Sequence, residues 1–226
     1  MTSIVYKNND FVIINKPCGI PSQADKSGDA DAITLTKDAL CKEESVKELH
    51  IINRLDRVVG GLILLAKNSK AAAELSALLS DDITKEYYAV ALGECGSGEM
   101  RDFLYKDATL GRAYVMKDAR RGAKEAILEY STLESVDYNG RKLSLVKVTL
   151  KTGRFHQIRA QFSSRNMPLV GDKKYGSKIS GTQHPALFAA RLAFTYKGES
   201  YDIKTNPDTE SFPWSLFDKK NFEVQI

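Results

Sequence analysis

Three cysteines in 226 residues, none in a CxxC spacing, leave this chain without the makings of a disulfide framework or a zinc site. Cys18, Cys41 and Cys95 point instead to a reducing compartment, and the expected location is the cytoplasm. Histidine is as scarce. His50, His156 and His184 are scattered, so no metal is expected. No apolar run approaches the ~20 residues that a membrane-spanning helix needs. The opening MTSIVYKNND lacks the cationic start and apolar block of a signal peptide. A nucleotide-cofactor loop is missing as well, and no cofactor is expected. Internal repeats, low-complexity tracts and Pro/Gly-rich linkers are also missing, so residues 1–226 are expected to form one domain.

What is present is ordinary globular composition, 42% hydrophobic and 27% charged, which argues against disorder. Thirty-three Lys and Arg against 29 Asp and Glu give a net charge of +4. That excess suits a nucleic-acid partner but is equally common in metabolic enzymes, so the placement of charge carries more information than its total.

Ile4–Tyr6 and Phe11–Asn15 are short β-prone runs separated by the turn signal Asn8-Asn9-Asp10. A helix is predicted over Ala32–Leu40. The continuous apolar run Gly61–Ala66 suits a strand buried on both faces. Ser69–Leu79 is predicted as an amphipathic helix capped by Asn68 or Ser69. Lys85–Leu92 reads as a strand with Tyr87, Ala89 and Ala91 on one face and Tyr88, Val90 and Leu92 on the other. Glu125–Leu150 reads as a long hairpin closed by Asn139-Gly140, and a helix is predicted over Phe155–Ser163. Strands outnumber helices. The expected class is α+β, a mixed domain on a largely antiparallel sheet with flanking helices.

Four segments carry chemistry. In Arg54-Leu55-Asp56-Arg57, followed by Val58-Val59-Gly60-Gly61, an acid lies between two arginines in a glycine-ended loop before a buried strand. Neighbouring guanidinium groups favour the ionised carboxylate, which suits nucleophilic or base work. Taken alone, Asp56 reads more simply as a surface ion pair with Arg54 or Arg57. In Lys151–Arg159 (KTGRFHQIR), Gly153 permits a tight turn, and the helix start after it offers unpaired N–H groups to an anion. His156 and Arg159, three apart, are placed to meet a ligand, although a solvated basic helix is the blander reading. Tyr87, with only alanines beside it on its face, leaves room for a flat ring, and core packing is its alternative. In Pro168–Gly176 (PLVGDKKYG), Lys173, Lys174 and an aromatic between glycines suit a nucleic-acid backbone and base.

Together these segments resemble the RluA-type pseudouridine synthase family. The resemblance runs from about Ile4 to Phe217 and keeps the family's order: a KPxG start at Lys16–Gly19, RLD running into GLILLAK, KEYYAVALG, TGRFHQIR and PLVGDKKYG. It implies that Asp56 is the catalytic aspartate and that Tyr87 is the tyrosine stacking on the target base. It further implies that Arg159 is the basic residue pairing with that aspartate, and that Arg54 lies beside a flipped nucleotide. Arg57, Arg154, His156, Gln157, Lys173 and Lys174 are expected to contact RNA. The chain departs from the family at Asn53, where histidine is common, at Val58-Val59-Gly60 in place of Thr-Ser-Gly, and at Gln161, where a histidine is often found. These changes bear on target choice. The KPxG segment begins almost at residue one, so the small N-terminal RNA-binding domain of many relatives is not expected, and target recognition is expected to rest on the catalytic domain.

The implied reaction breaks the N1–C1′ bond of a uridine in ribosomal or transfer RNA, turns the uracil and rejoins it through C5. A carboxylate would either attack C1′ or take the 2′ proton to give a glycal, and both routes stay open. Neither a protein partner nor a membrane is required, and a monomer is expected. Two other classes fit the sequence less well. A non-catalytic RNA-binding factor would have been free to lose Asp56, Tyr87 and Arg159. A glycoside hydrolase needs a second carboxylate across the sugar, and none is evident.

Overall fold

The computed structural model describes residues 2–41, 46–79, 82–119 and 122–222. In chain order the elements are β1 (Ser3–Lys7), β2 (Phe11–Lys16), α1 (Ala32–Leu40), β3 (His50–Ile51), β4 (Gly60–Ala66), α2 (Ser69–Leu78), β5 (Thr84–Leu92), β6 (Ser97–Asp107), β7 (Arg112–Met116), β8 (Lys124–Tyr138), β9 (Arg141–Leu150), α3 (Gln157–Ser164), β10 (Leu187–Tyr196) and β11 (Glu199–Lys204). Short 3-10 turns occupy Lys173–Tyr175, Trp214–Leu216 and Lys219–Asn221. The class is α+β, as the sequence predicts. Among the described residues, no helix is long and apolar enough to cross a membrane. The chain divides into two compact units, Met1–Thr84 with Phe188–Pro207, and Lys85–Leu187 with Asp208–Ile226.

In the first unit β4 is the organising strand. All seven of its residues are buried, because it is covered on both faces as its unbroken apolar run demands. It pairs antiparallel with β2 and β3, and parallel with the start of β10. Gly61 has φ +117°, and a Cβ there would meet the Ala189 carbonyl oxygen at 2.2 Å, so the close approach of β10 requires glycine. Phe11, Ile13, Ile52, Leu62, Leu64, Leu75, Leu192 and Phe194 form the core. Both helices start on side-chain caps. Asp31 accepts from the Ile33 and Thr34 N–H groups, and Asn68 accepts from that of Ala71.

In the second unit β5, β9, β8, β6 and β7 pair antiparallel in that order. The β8–β9 hairpin closes at Asn139-Gly140, both with positive φ (49° and 73°), the geometry that makes Asn-Gly a strong hairpin signal. Helix α3 lies against β6 and β7, and Leu104, Ala113, Ala126, Ala160 and Tyr175 are buried between them.

Tyr87 and Tyr88, adjacent in β5 and so on alternate faces, are both buried. One sequence expectation is corrected. Helix α3 begins at Gln157, two residues later than predicted, because His156 takes a left-handed conformation (φ 53°) that cannot continue into a helix. The β6–β7 hairpin lies in a stretch to which no element was assigned from sequence.

Candidate active site

Asp56 lies in the turn 53–59 that feeds β4, and this turn is pinned by its neighbours' side chains. The Asn53 amide accepts from the Leu64 N–H at 2.7 Å and donates to the Leu62 carbonyl at 3.3 Å, fastening the turn to β4. Asparagine thus has a full structural use at the position where the family commonly has histidine. The Ser22 hydroxyl donates to the Leu55 carbonyl at 2.7 Å and accepts from the Leu55 N–H at 3.1 Å. On the other side, the Arg57 carbonyl accepts from the Gly19 N–H at 2.8 Å. The Val59 N–H closes the turn on the Asp56 carbonyl at 3.0 Å. The residues flanking Asp56 are therefore held by their main chains, while Asp56 itself is half-buried.

Lys16 is the least expected member of this turn. Its side chain is fully buried, and its ammonium donates to the carbonyls of Ile20 at 2.8 Å, Pro17 at 3.0 Å and Arg57 at 3.3 Å. Burial lowers its pKa from 10.5 to about 8, while the nearby Cys18 and Asp56 side chains oppose that shift. Unfolded, Lys16 regains its ordinary pKa, so between pH 8 and 10.5 the unfolded chain binds the extra proton. The burial penalty is complete below pH 8 and fades as pH rises to 10.5. We expect the stability of the wild type relative to Lys16→Met to increase from pH 7 to pH 10 in paired thermal melts. A difference that stays flat across that window would show that Lys16 keeps its ordinary pKa.

Arg54 is exposed. Arg57 is exposed too, but its guanidinium is occupied. Nε donates to the Gly19 carbonyl at 2.8 Å, Nη1 donates to the Ser27 hydroxyl at 3.1 Å, and Nη2 pairs with Asp29. Its place is that of a strap on the loop 19–29, which it ties to the Asp56 turn.

In the second unit the turn before α3 is held by Gln157, which is buried. Its Oε1 accepts from the Thr152 hydroxyl and the Arg154 N–H, each at 2.9 Å, and its Nε2 donates to the Ile127 carbonyl at 3.1 Å. Gln157 therefore shapes this turn with the amide that the sequence reading assigned to RNA. Arg154 is exposed and donates through Nε to the Glu125 carbonyl at 2.7 Å. His156 stacks on Phe155 with ring centroids 3.8 Å apart. Its Nδ1 lies 3.0 Å from the Tyr175 hydroxyl, which already accepts from the Ala113 N–H at 2.7 Å. Burial, with Arg159, Lys174 and Lys106 nearby, lowers the His156 pKa to about 3 and keeps the ring neutral.

Arg159 and Asp172 are 4% and 1% exposed and make a two-pronged pair, Nε to Oδ2 at 2.7 Å and Nη2 to Oδ1 at 2.9 Å. The Arg159 guanidinium also lies over the Tyr175 ring, 5.0 Å from its centroid. Gly171 brings Asp172 into place. It has φ +79°, and a Cβ there would meet the His184 carbonyl oxygen at 2.4 Å. Of the two lysines that follow, Lys173 is exposed, and Lys174 donates to the Gly111 carbonyl at 3.0 Å. Tyr87 is buried in β5 opposite Val148 of β9.

The first unit thus assembles Lys16, Ser22, Asn53 and Arg57 around the Asp56 turn, and the second gathers His156, Arg159, Asp172 and Tyr175. Sequence reasoning gave Lys16, Ser22 and Asp172 no site role, and read Tyr175 as an aromatic for a nucleic-acid base. Lys16 and Asp172 stand inside quoted motifs, but nothing in those motifs said which side chains turn inward.

Residues 10–164 match the family model for RNA pseudouridylate synthases. The chain is 32% identical over 180 residues to ribosomal large subunit pseudouridine synthase C of Rickettsia conorii, covering 77% of this chain and 56% of that protein. It is 34% identical over 178 residues to ribosomal large subunit pseudouridine synthase D of Yersinia pestis, covering 77% and 53%. It therefore spans about half the length of these relatives. The fold matches the structure titled Human RNA Pseudouridylate Synthase Domain Containing 1 with a TM-score of 0.74 at 24% identity, covering 92% of this chain and 84% of that one. On the family match and these identities, the chain belongs to the RNA pseudouridylate synthase family.

Proposed function

We propose that this chain isomerises uridine to pseudouridine in RNA, with ribosomal RNA as the first candidate substrate and transfer RNA as the second. The observation that carries this reading is the Asp56 turn, in which Lys16, Ser22 and Asn53 fix the main chain on either side of a half-buried carboxylate. A carboxylate that must meet one carbon or one proton of a ribose gains from such pre-positioning. Asp56 is the nucleophile or base, and Tyr87 the ring against which the extruded uracil stacks. Arg159 supplies a guanidinium whose orientation is fixed by Asp172. Extruding a uridine costs a few kcal/mol, and stacking returns about 1–3 kcal/mol per base. Arg54, exposed two residues before Asp56, fills the space the base leaves. His156 and the exposed Arg154, Lys173 and Lys174 meet the RNA backbone, whereas Arg57 and Gln157 shape the loops that do so. The three cysteines are free thiols, which suits a cytoplasmic setting. The working unit is a monomeric catalytic domain over 1–226 that needs no cofactor, metal or obligatory protein partner.

The test is tritium release from RNA carrying [5-³H]uridine, with the product nucleoside identified by mass spectrometry. Release with pseudouridine as product is expected. Free uracil would mean hydrolysis, and binding without release from any cellular RNA would mean a non-catalytic RNA-binding factor.

Tyr87→Phe keeps the ring and removes the hydroxyl. We expect kcat to fall by about 10²-fold, the lower end of what a positioned proton-transfer group contributes, with KM little changed. An unchanged kcat in steady-state kinetics would limit Tyr87 to stacking.

A further inference from the structure

Residues 208–222 carry none of the proposed catalytic groups, yet they are fastened to the sheet of the second unit on β8 and β5. The Phe212 ring lies 5.1 Å from that of Tyr138 on β8. Glu134, also on β8, accepts from the Asp218 N–H at 2.9 Å and from the Asn221 side-chain amide at 2.6 Å. Phe222 meets Tyr88 of β5 edge to face, with ring centroids 5.2 Å apart and planes at 75°, and the Trp214 ring lies 6.5 Å from that of Phe222. Trp214, Phe217, Phe222 and Tyr88 are all buried. Strand register places these anchors on one face of the sheet. Tyr88 and Val90 share a side of β5, Leu145 of β9 is opposite both Val90 and Glu134, and Tyr138 follows Glu134 on the same side of β8. The other face belongs to Tyr87. Val148 of β9 is opposite both Tyr87 and Tyr130 of β8, and the Tyr130 ring meets Phe162 of α3 with centroids 5.5 Å apart. Helix α3 therefore packs on the Tyr87 face, and residues 208–222 form a strap across the opposite one.

We infer that Phe222 is a positioning residue for Tyr87, acting through Tyr88. This rests on the reading of Tyr87 as the ring that receives the extruded uracil, and extends it to the strap on the far side of the sheet. Tyr87 and Tyr88 are consecutive and share a planar peptide unit, so a shift in what holds one side chain reaches the other through rigid main-chain atoms. The hydrogen-bond ladder with β9 fixes β5 within the plane of the sheet, whereas its position perpendicular to that plane is set by what packs on its two faces. On the Tyr87 side the nearest strand neighbours are Ala89 and Ala91, which leave room for a base and supply little bulk. The depth of the strand on that side is therefore set from behind, where Phe222 presses on Tyr88. Glu134 holds the strap immediately before Phe222, through Asp218 and Asn221, so the ring arrives at a defined place. A smaller residue at 222 would open a cavity behind Tyr88, into which that ring relaxes and draws the strand with it.

The test is the series Phe222→Leu, Phe222→Val and Phe222→Ala, with tritium release measured well below each variant's melting temperature. Since misplacing a reacting group by about 1 Å can cost about 10²-fold, Phe222→Ala should lower kcat by about tenfold with KM little changed. Phe222→Leu should keep most of the rate, and Phe222→Val should fall between them. In a Tyr87→Leu background, which removes the ring being positioned, Phe222→Ala should cost less than about twofold more in single-turnover kinetics. A purely structural role would lower the melting temperature along the series and leave the kcat of the folded enzyme unchanged, which would overturn the inference. Equal rate losses in the two backgrounds would do the same, because Phe222 would then act by a route that bypasses Tyr87. Should Phe222→Ala not fold, the Leu and Val substitutions still decide the matter by whether kcat falls with side-chain size. Fluorine NMR of 3-fluorotyrosine in place of Tyr87 supplies a readout that needs no turnover, and its resonance should move along the same series. A moving resonance in a chain that releases no tritium would keep the positioning and sink the proposed reaction. Tritium release with a stationary resonance and constant kcat has the opposite meaning.

Discussion

Asp56→Asn is expected to abolish tritium release from [5-³H]uridine RNA, lowering the rate by more than about 10³-fold, while RNA affinity and thermal stability stay near wild type. The rate loss follows from the chemistry. An amide of the same shape can neither attack C1′ nor accept the 2′ proton at a useful rate, so either route loses its essential group. Stability should survive because asparagine keeps the shape of the side chain and the turn is held through main-chain atoms and through Lys16, Ser22 and Asn53. Part of the local cost is the charge that Asp56 presents to Lys16. Equal tritium release by wild type and Asp56→Asn would remove Asp56 from the mechanism. A variant that fails to fold would show that the carboxylate, and not its pinned neighbours, organises the turn. Single-turnover kinetics with circular dichroism on the same samples separates these outcomes.

The fold was legible in the sequence wherever a short pattern determines a local structure. The apolar run of β4, the Asn-Gly turn between β8 and β9 and the caps of α1 and α2 each depend on a few adjacent residues. The start of α3 was not legible. Its position is set by Gln157 bonding Thr152, Arg154 and Ile127, the last of these thirty residues away. The β6–β7 hairpin also escaped, because Arg101, Asp102, Tyr105 and Lys106 interrupt the apolar alternation that marks a strand. Among site residues, the order of the motifs singled out Asp56, Tyr87 and Arg159. It could not show that Lys16 turns inward onto three carbonyls, or that Arg57 and Gln157, read as RNA contacts, are engaged with their own chain. Orientation of this kind comes from packing at long range in sequence, which a linear motif does not encode.

Arg159 poses the sharpest question, because its substitution should cost both stability and activity, and the two can be separated. Arg159→Ala leaves the Asp172 carboxylate buried without its partner, and breaking a buried pair in this way costs about 3–5 kcal/mol. The contact with the Tyr175 ring is lost as well. We expect a lower urea midpoint and no detectable turnover, but this variant alone does not say whether the guanidinium acts in the reaction or only maintains the fold. Replacing both partners, Arg159→Met with Asp172→Leu, removes the two charges together and fills their space with apolar atoms, a change that buried pairs often tolerate with little loss of stability. The double variant should therefore recover most of the midpoint lost in Arg159→Ala while remaining without turnover. Asp172→Asn should fall between them, since it keeps the shape of the pair but weakens its hold on the guanidinium. It should lower kcat with KM little changed, and Asp172→Glu should restore part of the rate. Recovery of turnover in the stable double variant would assign Arg159 to the fold alone. Stability without turnover would assign it to the chemistry, with Asp172 as the residue that aims it.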